Sequence, residues 1–219
     1  MRLFAAVLPP DHVVAELAGA VGALRELERR GAGALRWTGE AGWHFTLAFM
    51  GEVDDAVVPE LTERLGRAAY RTEPFSLRVH GSGHFGGRAL WAGAAGGLDA
   101  LRLLAERTDA AARRAGVPME EHRRYQPHLT LARTERERGD DGAGDGLRPY
   151  VEALGGFEGT PWEVSELALV RSRLPGTAGV GWRPGQVPRY ETVARCPLGA
   201  GPGGPPGEGV APARRNLDR

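Results

Sequence analysis

Lysine is absent from this 219-residue chain, and cysteine is nearly so, with Cys196 alone. One cysteine can form neither an internal disulfide nor a thiolate cluster, which points to a reducing, cytoplasmic compartment. An excess of charge of one sign is lacking too: 28 basic residues, all arginine, balance 28 acidic ones. No whole-protein positive field advertises nucleic acid, so an RNA ligand would be drawn to a local cleft. The missing lysine reads as a coding bias towards Arg, Ala and Gly. Apolar runs of membrane-spanning length are lacking, and no membrane partner is expected. The run at residues 1–8 is stopped by Pro9-Pro10 before it reaches the length of a signal-peptide core, and no small-residue cleavage site follows, so it is expected to be a strand.

Hydrophobic residues make up 42% of the chain, which is enough for a packed core. Residues 3–8 read as a buried strand. Asp11 is the expected N-cap of a helix carrying Val14, Leu17, Val21, Leu24 and Leu27 and ending near Gly31. Residues 43–50 form the second strand, ended by Gly51, and Asp54 or Asp55 caps a helix with Val57, Leu61 and Leu65 that runs to about Tyr70. Alternation over 75–80 predicts a strand, 81–87 a turn and 89–92 the return strand. A helix follows at 97–115, then a strand at 128–132, a mobile loop at 135–146, a short helix at 147–154, and strands at 164–171 and 187–195. Residues 1–198 make the domain. The Gly/Pro-rich stretch 199–219 cannot bury a core and is expected to be a disordered tail.

Within this pattern one tetrad occurs twice: His44-Phe45-Thr46-Leu47 and His128-Leu129-Thr130-Leu131. Six histidines and the Thr and Leu content predict roughly 0.03 such tetrads by chance. Each tetrad sits in a strand-like run, and their spacing suggests two lobes related by an approximate repeat. In a strand, residues i and i+2 share a face about 7 Å apart. His44 and Thr46 then share one face, as do His128 and Thr130, while Phe45, Leu47, Leu129 and Leu131 anchor the strands from the other.

Two imidazoles and two hydroxyls facing one another suit phosphodiester hydrolysis without a metal. A neutral imidazole takes a proton from the attacking water and a protonated one gives a proton to the leaving oxygen. The Thr46 and Thr130 hydroxyls donate to the non-bridging phosphate oxygens. Two core histidines in unrelated strands is the bland alternative, and the pairing weighs against it. A zinc site is another, but two His without a companion carboxylate fall short of the usual three or four ligands. A bell-shaped rate profile around neutral pH is expected. Because the tetrads are nearly symmetric, chemistry alone leaves the acid and base roles unassigned.

The sequence resembles the 2H phosphoesterases, and its flanks resemble the RNA 2′,3′-cyclic 3′-phosphodiesterases, the LigT-like or 2′-5′ RNA ligase-like proteins. The resemblance rests on residues 2–6, Arg36-Trp37 and Trp43 to Val53. It continues through Phe85, Arg88 to Gly93, Pro127 to Arg133, residues 169–174, Tyr190 and Leu198. It implies an α+β fold of two pseudo-symmetric lobes, with antiparallel sheets around a central cleft and helices outside. It implies hydrolysis of RNA 2′,3′-cyclic ends to 2′-phosphates, with His44 as proton donor, His128 as proton acceptor and no cofactor or metal. RNA with a cyclic-phosphate end, or a cyclic nucleotide, is the expected partner, and a monomer is expected. The chain departs from the family pattern at residues 38–42, where a Pro-containing turn is usual, and at Tyr125-Gln126. RNA ligation, the reverse reaction, uses the same residues, and a non-catalytic RNA- or nucleotide-binding module is the reading from another class.

Arg133 follows the second tetrad and could hold phosphate, but strict alternation puts it on the face opposite His128 and Thr130 unless the strand bends. Trp37, Trp43 and Tyr125 could stack on a base, with core packing as the expected role. His80, His84 and His122 are expected to be solvated or structural, and His12 is expected in a helix's first turn. Cys196 has no basic partner pattern and no nucleophile role.

Overall fold

The computed structural model of the chain describes residues 1–31, 35–120, 125–134, 146–173 and 188–199. The expected loop at 135–146, apart from Gly146, the expected tail, apart from Gly199, and His122 lie outside these residues.

The first apolar run makes β1 (Arg2–Val7), buried from Leu3 onward. Pro9-Pro10 stops it, and α1 (Asp11–Arg29) begins at once, the Pro10 carbonyl accepting from Val13 and Val14. The N-cap is therefore Pro10 rather than Asp11, whose carboxylate still favours the positive helix end from inside the first turn. The buried stripe is Val13, Leu17, Val21 and Leu24. The remaining elements are β2 (Leu35–Trp37), β3 (Phe45–Glu52), α2 (Val58–Tyr70), β4 (Phe75–Phe85) and β5 (Ala89–Gly96), then α3 (Leu98–Arg114), β6 (Leu129–Thr134), α4 (Arg148–Leu154), β7 (Trp162–Val164), β8 (Glu166–Arg173) and β9 (Arg189–Pro197).

The fold is α+β with two antiparallel sheets, ordered β3-β1-β8-β9 and β2-β6-β5-β4-β7. The helices tie them together. α1 follows a strand of the first sheet yet serves the second: its Glu28 accepts from Leu35 N (2.6 Å) and Trp37 Nε1 (2.7 Å), and its Glu16 accepts from Thr160 N (2.8 Å) before β7. In return α3 follows the second sheet's hairpin and packs on β3, beside α2. The exchange puts Leu3, Phe45 and Leu169 of one sheet in the same core as Leu77, Leu90 and Leu131 of the other.

An expected strand end and part of an expected turn became strand. Gly51 does not end β3; it continues the strand at φ 66° where Met50 stands unopposed. Gly81, at φ 67°, lets β4 bulge and run on to Phe85, and the turn falls instead at Gly86-Gly87, with Arg88 N donating to Phe85 O.

Candidate active site

His44 and His128 each stand one residue before a strand, and both strands break register at the same place. On β3, Thr46 opposes Ala6 and Ala48 opposes Ala5, leaving Leu47 as an extra residue. On β6, Thr130 opposes Trp91 and Ala132 opposes Leu90, leaving Leu131 extra. Each bulge turns two successive residues inward: Leu47 with Ala48, and Leu131 with Ala132, are all buried. Burial runs in the same sequence through both hexapeptides, from His44 to Phe49 and from His128 to Arg133.

The bulge corrects the alternation argument about Arg133. Plain strand parity places it opposite Thr130. With one extra residue at Leu131, Arg133 returns to the Thr130 face, opposite Ala89 on β5. The Arg133 charge works to lower the pKa of both His128 on its own sheet and Tyr190 on the other.

The two imidazoles have different surroundings. The His44 ring stacks on Phe4 (4.5 Å between centroids, 26° between planes) and meets Tyr190 edge-on at 5.4 Å. Phe4, Ala6, Ala168 and Val170 form a small buried cluster on this face of the first sheet. Burial there, aided by the facing charge of His128, holds the His44 imidazole down at about 4. His128 is also lowered by burial, and Arg133 adds to this, while its bond to the Gln126 carbonyl pulls the other way. That bond joins His128 Nδ1 to Gln126 O at 2.8 Å. A carbonyl only accepts, so Nδ1 carries the proton and the neutral ring presents a lone pair at Nε2.

Below His128 the floor is aromatic. Phe85 meets the His128 ring edge-on at 4.7 Å and packs on Trp91 at 5.5 Å. The Trp91 indole lies over Gly83, where a Cβ would come within 2.3 Å of Cζ2. This is why the Gly81–Gly83 stretch is strand: its glycines supply a bulge and a seat for an indole. Thr46 and Thr130 are half-buried, and neither hydroxyl has a partner among the described residues.

The other candidates separate cleanly. Trp43 is buried in the core, and Trp37 is held by Glu28 and covered by Arg25. Tyr125 buries its hydroxyl, and burial raises its pKa. His84 Nδ1 accepts from Gly87 N (3.1 Å) in the β4–β5 turn, and His12 lies in the first turn of α1. Burial pushes the Cys196 thiol up to about 11, which removes thiolate chemistry at neutral pH. No group of three or more His, Cys, Asp or Glu among the described residues is placed to hold a metal ion. Sequence reasoning gave no role to Phe49, which is 49% exposed, and found Phe85 only through the resemblance. Tyr190 was likewise seen only as part of a closing strand. Strand alternation and spacing carry no signal for a contact between β9 and β3.

Residues 9–175 match the family model described as the 2′-5′ RNA ligase superfamily. The chain belongs to the 2′-5′ RNA ligase superfamily. Among curated relatives, a Geobacillus stearothermophilus protein named RNA 2′,3′-cyclic phosphodiesterase is 32% identical over 80% of this chain, which spans about half (51%) of that relative. Proteins of the same name from Aeropyrum pernix and Thermus thermophilus are 32% and 31% identical, matching 62% and 80% of this chain and 75% and 83% of their own lengths. Among solved structures, TT0787 of Thermus thermophilus superposes with a TM-score of 0.65 at 27% identity, covering 90% of this chain and 98% of its own. Escherichia coli LigT, solved with ATP, superposes with a TM-score of 0.63 at 24% identity over 90% of this chain and 97% of its own, and shares the fold. No described helix is long and apolar enough to cross a membrane.

Proposed function

We propose that this chain hydrolyses RNA 2′,3′-cyclic phosphate ends to 2′-phosphates, with His44 and His128 as the acid and base and no metal ion. The relatives named RNA 2′,3′-cyclic phosphodiesterase support the reaction class. The observation that carries the mechanism is the His128 Nδ1 bond to the Gln126 carbonyl, opposite a second imidazole. It breaks the symmetry of the two tetrads in favour of His128 as base.

In this reading the cyclic phosphate lies between Thr46 and Thr130, whose hydroxyls donate to its non-bridging oxygens. The Arg133 guanidinium balances the growing negative charge. Water attacks phosphorus while His128 Nε2 takes one of its protons. The bond from phosphorus to O3′ breaks, and the protonated His44 ring gives its proton to O3′. The product carries a 2′-phosphate and a free 3′-hydroxyl. In the free protein His44 is neutral at pH 7, and the phosphate anion, once seated, favours its protonated form. The substrate therefore helps to charge its own acid. A buried thiol as the lone cysteine accords with a reducing, cytoplasmic setting.

The test is RNA ending in a 2′,3′-cyclic phosphate, incubated with the protein in EDTA. Release of a 2′-phosphate end is expected, and its absence would sink the reading. The superfamily's description favours ligation as a second reading, in which a 5′-hydroxyl replaces water. Adding 5′-hydroxyl RNA to the same assay detects it as a 2′-5′ linkage.

A further inference from the structure

The sixth residue of each repeated hexapeptide is returned by its bulge to the face of its threonine. In the second repeat that residue is Arg133. In the first it is Phe49, opposite Phe4 and on the same face as Thr46. Phe49 is 49% exposed, and the Arg2 guanidinium lies 4.7 Å over the centre of its ring. Arg2 alternates with Phe4 and so shares that face. Glu52, its cross-strand neighbour, turns to the Met1 ammonium at 3.8 Å. Arg2 thus has a ring partner and no carboxylate partner among the described residues.

Phe49 stands two strand steps beyond Thr46, about 7 Å, and Arg2 lies on the adjoining strand, about 4.8 Å further. This is the scale of one nucleotide, measured away from the seated phosphate. A cyclic mononucleotide carries a single phosphate, which Arg133 and the two threonines serve. A second cation layered on an open ring matches a second phosphate and the base next to it. An oligonucleotide supplies both.

We propose that Phe49 and Arg2 form a subsite for the nucleotide on the 5′ side of the cyclic end. Phe49 stacks against its base, and Arg2 contacts the phosphate that joins it to the terminal ribose. The proposal rests on the cyclic-phosphate reading above and names the substrate class of that site: an RNA end rather than a cyclic mononucleotide.

The experiment compares a trinucleotide ending in 2′,3′-cyclic cytidine phosphate with 2′,3′-cyclic CMP alone. Wild type is expected to prefer the trinucleotide in kcat/KM. Phe49→Ala should reduce that preference about tenfold, through KM, and Phe49→Tyr should retain it. Arg2→Gln should reduce it as well and make the salt slope of log kcat/KM for the trinucleotide shallower by about one. It carries the same test should Phe49→Ala fail to fold. An unchanged trinucleotide preference in both Phe49→Ala and Arg2→Gln overturns the subsite. If wild type turns over neither substrate, the cyclic-phosphate reading falls. The subsite is then judged by equilibrium binding of a 2′-phosphate-ended trinucleotide against 2′-CMP. Loss of the trinucleotide's advantage in Phe49→Ala supports it, and an unchanged advantage overturns it.

Discussion

On the first sheet His44 lies in an apolar niche between Phe4 and Tyr190, with its ring nitrogens bonded to no described residue. On the second sheet His128 is tied by Nδ1 to a carbonyl, touched edge-on by Phe85, and sensed by Arg133. The two strands share their motif, bulge and burial sequence, and differ in what surrounds the ring and in the sixth residue. A nearly symmetric scaffold thus presents two unlike imidazoles. One is oriented with a lone pair outward, ready to accept. The other is held neutral by burial, and in the proposed reaction it takes up a proton when the phosphate anion is seated and gives it to the leaving oxygen.

The largest effect that would sharpen this contrast is loss of either imidazole. His44→Ala and His128→Ala should each lower kcat on the cyclic end by about 10³-fold with unchanged circular dichroism. A variant that keeps a tenth of wild-type activity would remove that histidine from the chemistry. Next, Arg133→Met should cost about 10²-fold in kcat/KM, with Lys restoring part of it. An effect within threefold would show that the bulge turns Arg133 to the cleft without giving it a phosphate.

The pH dependence comes third. In the free protein His44 holds its proton only near pH 4, and His128 is a base above a pKa lowered from 6.5. kcat/KM should therefore peak below pH 6.5 and fall about tenfold per unit above it. The basic limb of kcat, measured at saturation, should lie at higher pH because bound phosphate favours the charged ring. This displaces the bell expected around neutrality from sequence. A kcat/KM optimum above pH 7.5 would contradict the buried, neutral His44.

Smaller effects separate the two supports. Gly83→Ala should push Trp91 off its seat, cost about 1–3 kcal/mol in a denaturant titration and lower kcat through the Phe85 contact to His128. The equivalent strain has no counterpart beneath His44. Because the folded-state pKa of His44 lies below its unfolded value, protonation opposes folding as pH falls from 6.5 towards 4. His44→Gln should therefore gain on the order of 2 kcal/mol relative to wild type at pH 4 and nothing from this source at pH 8. Equal gains at both pH values would assign the effect to packing instead.

Much of this was legible in the sequence because the information is local. Alternation placed Phe45 and Leu129 in the core and His44, Thr46, His128 and Thr130 on the other face. Helical spacing located α1, α2 and α3. What alternation cannot carry is a break in its own period. The bulges at Leu47 and Leu131 leave no mark beyond two adjacent apolar residues, so the face of Arg133 stayed open and Phe49 was passed over. Three-residue strands such as β2 and β7 are too short to show a period. Gly83 reads as a turn residue because the partner that needs it, Trp91, comes from another strand. The proposed assignment of acid and base rests on one carbonyl, Gln126, whose side chain is irrelevant to the contact and therefore invisible in the letters.

The division of labour between the two imidazoles is tested most directly by a 2′,3′-cyclic substrate with sulfur in place of O3′. A thiolate, with a conjugate acid near pKa 8.5 in the manner of cysteine, leaves without needing a proton. His44→Ala should hydrolyse this substrate at a rate close to wild type, while His128→Ala should remain inactive on it. Rescue of His128→Ala in place of His44→Ala would reverse the two roles, and rescue of neither would contradict proton donation to O3′ by His44.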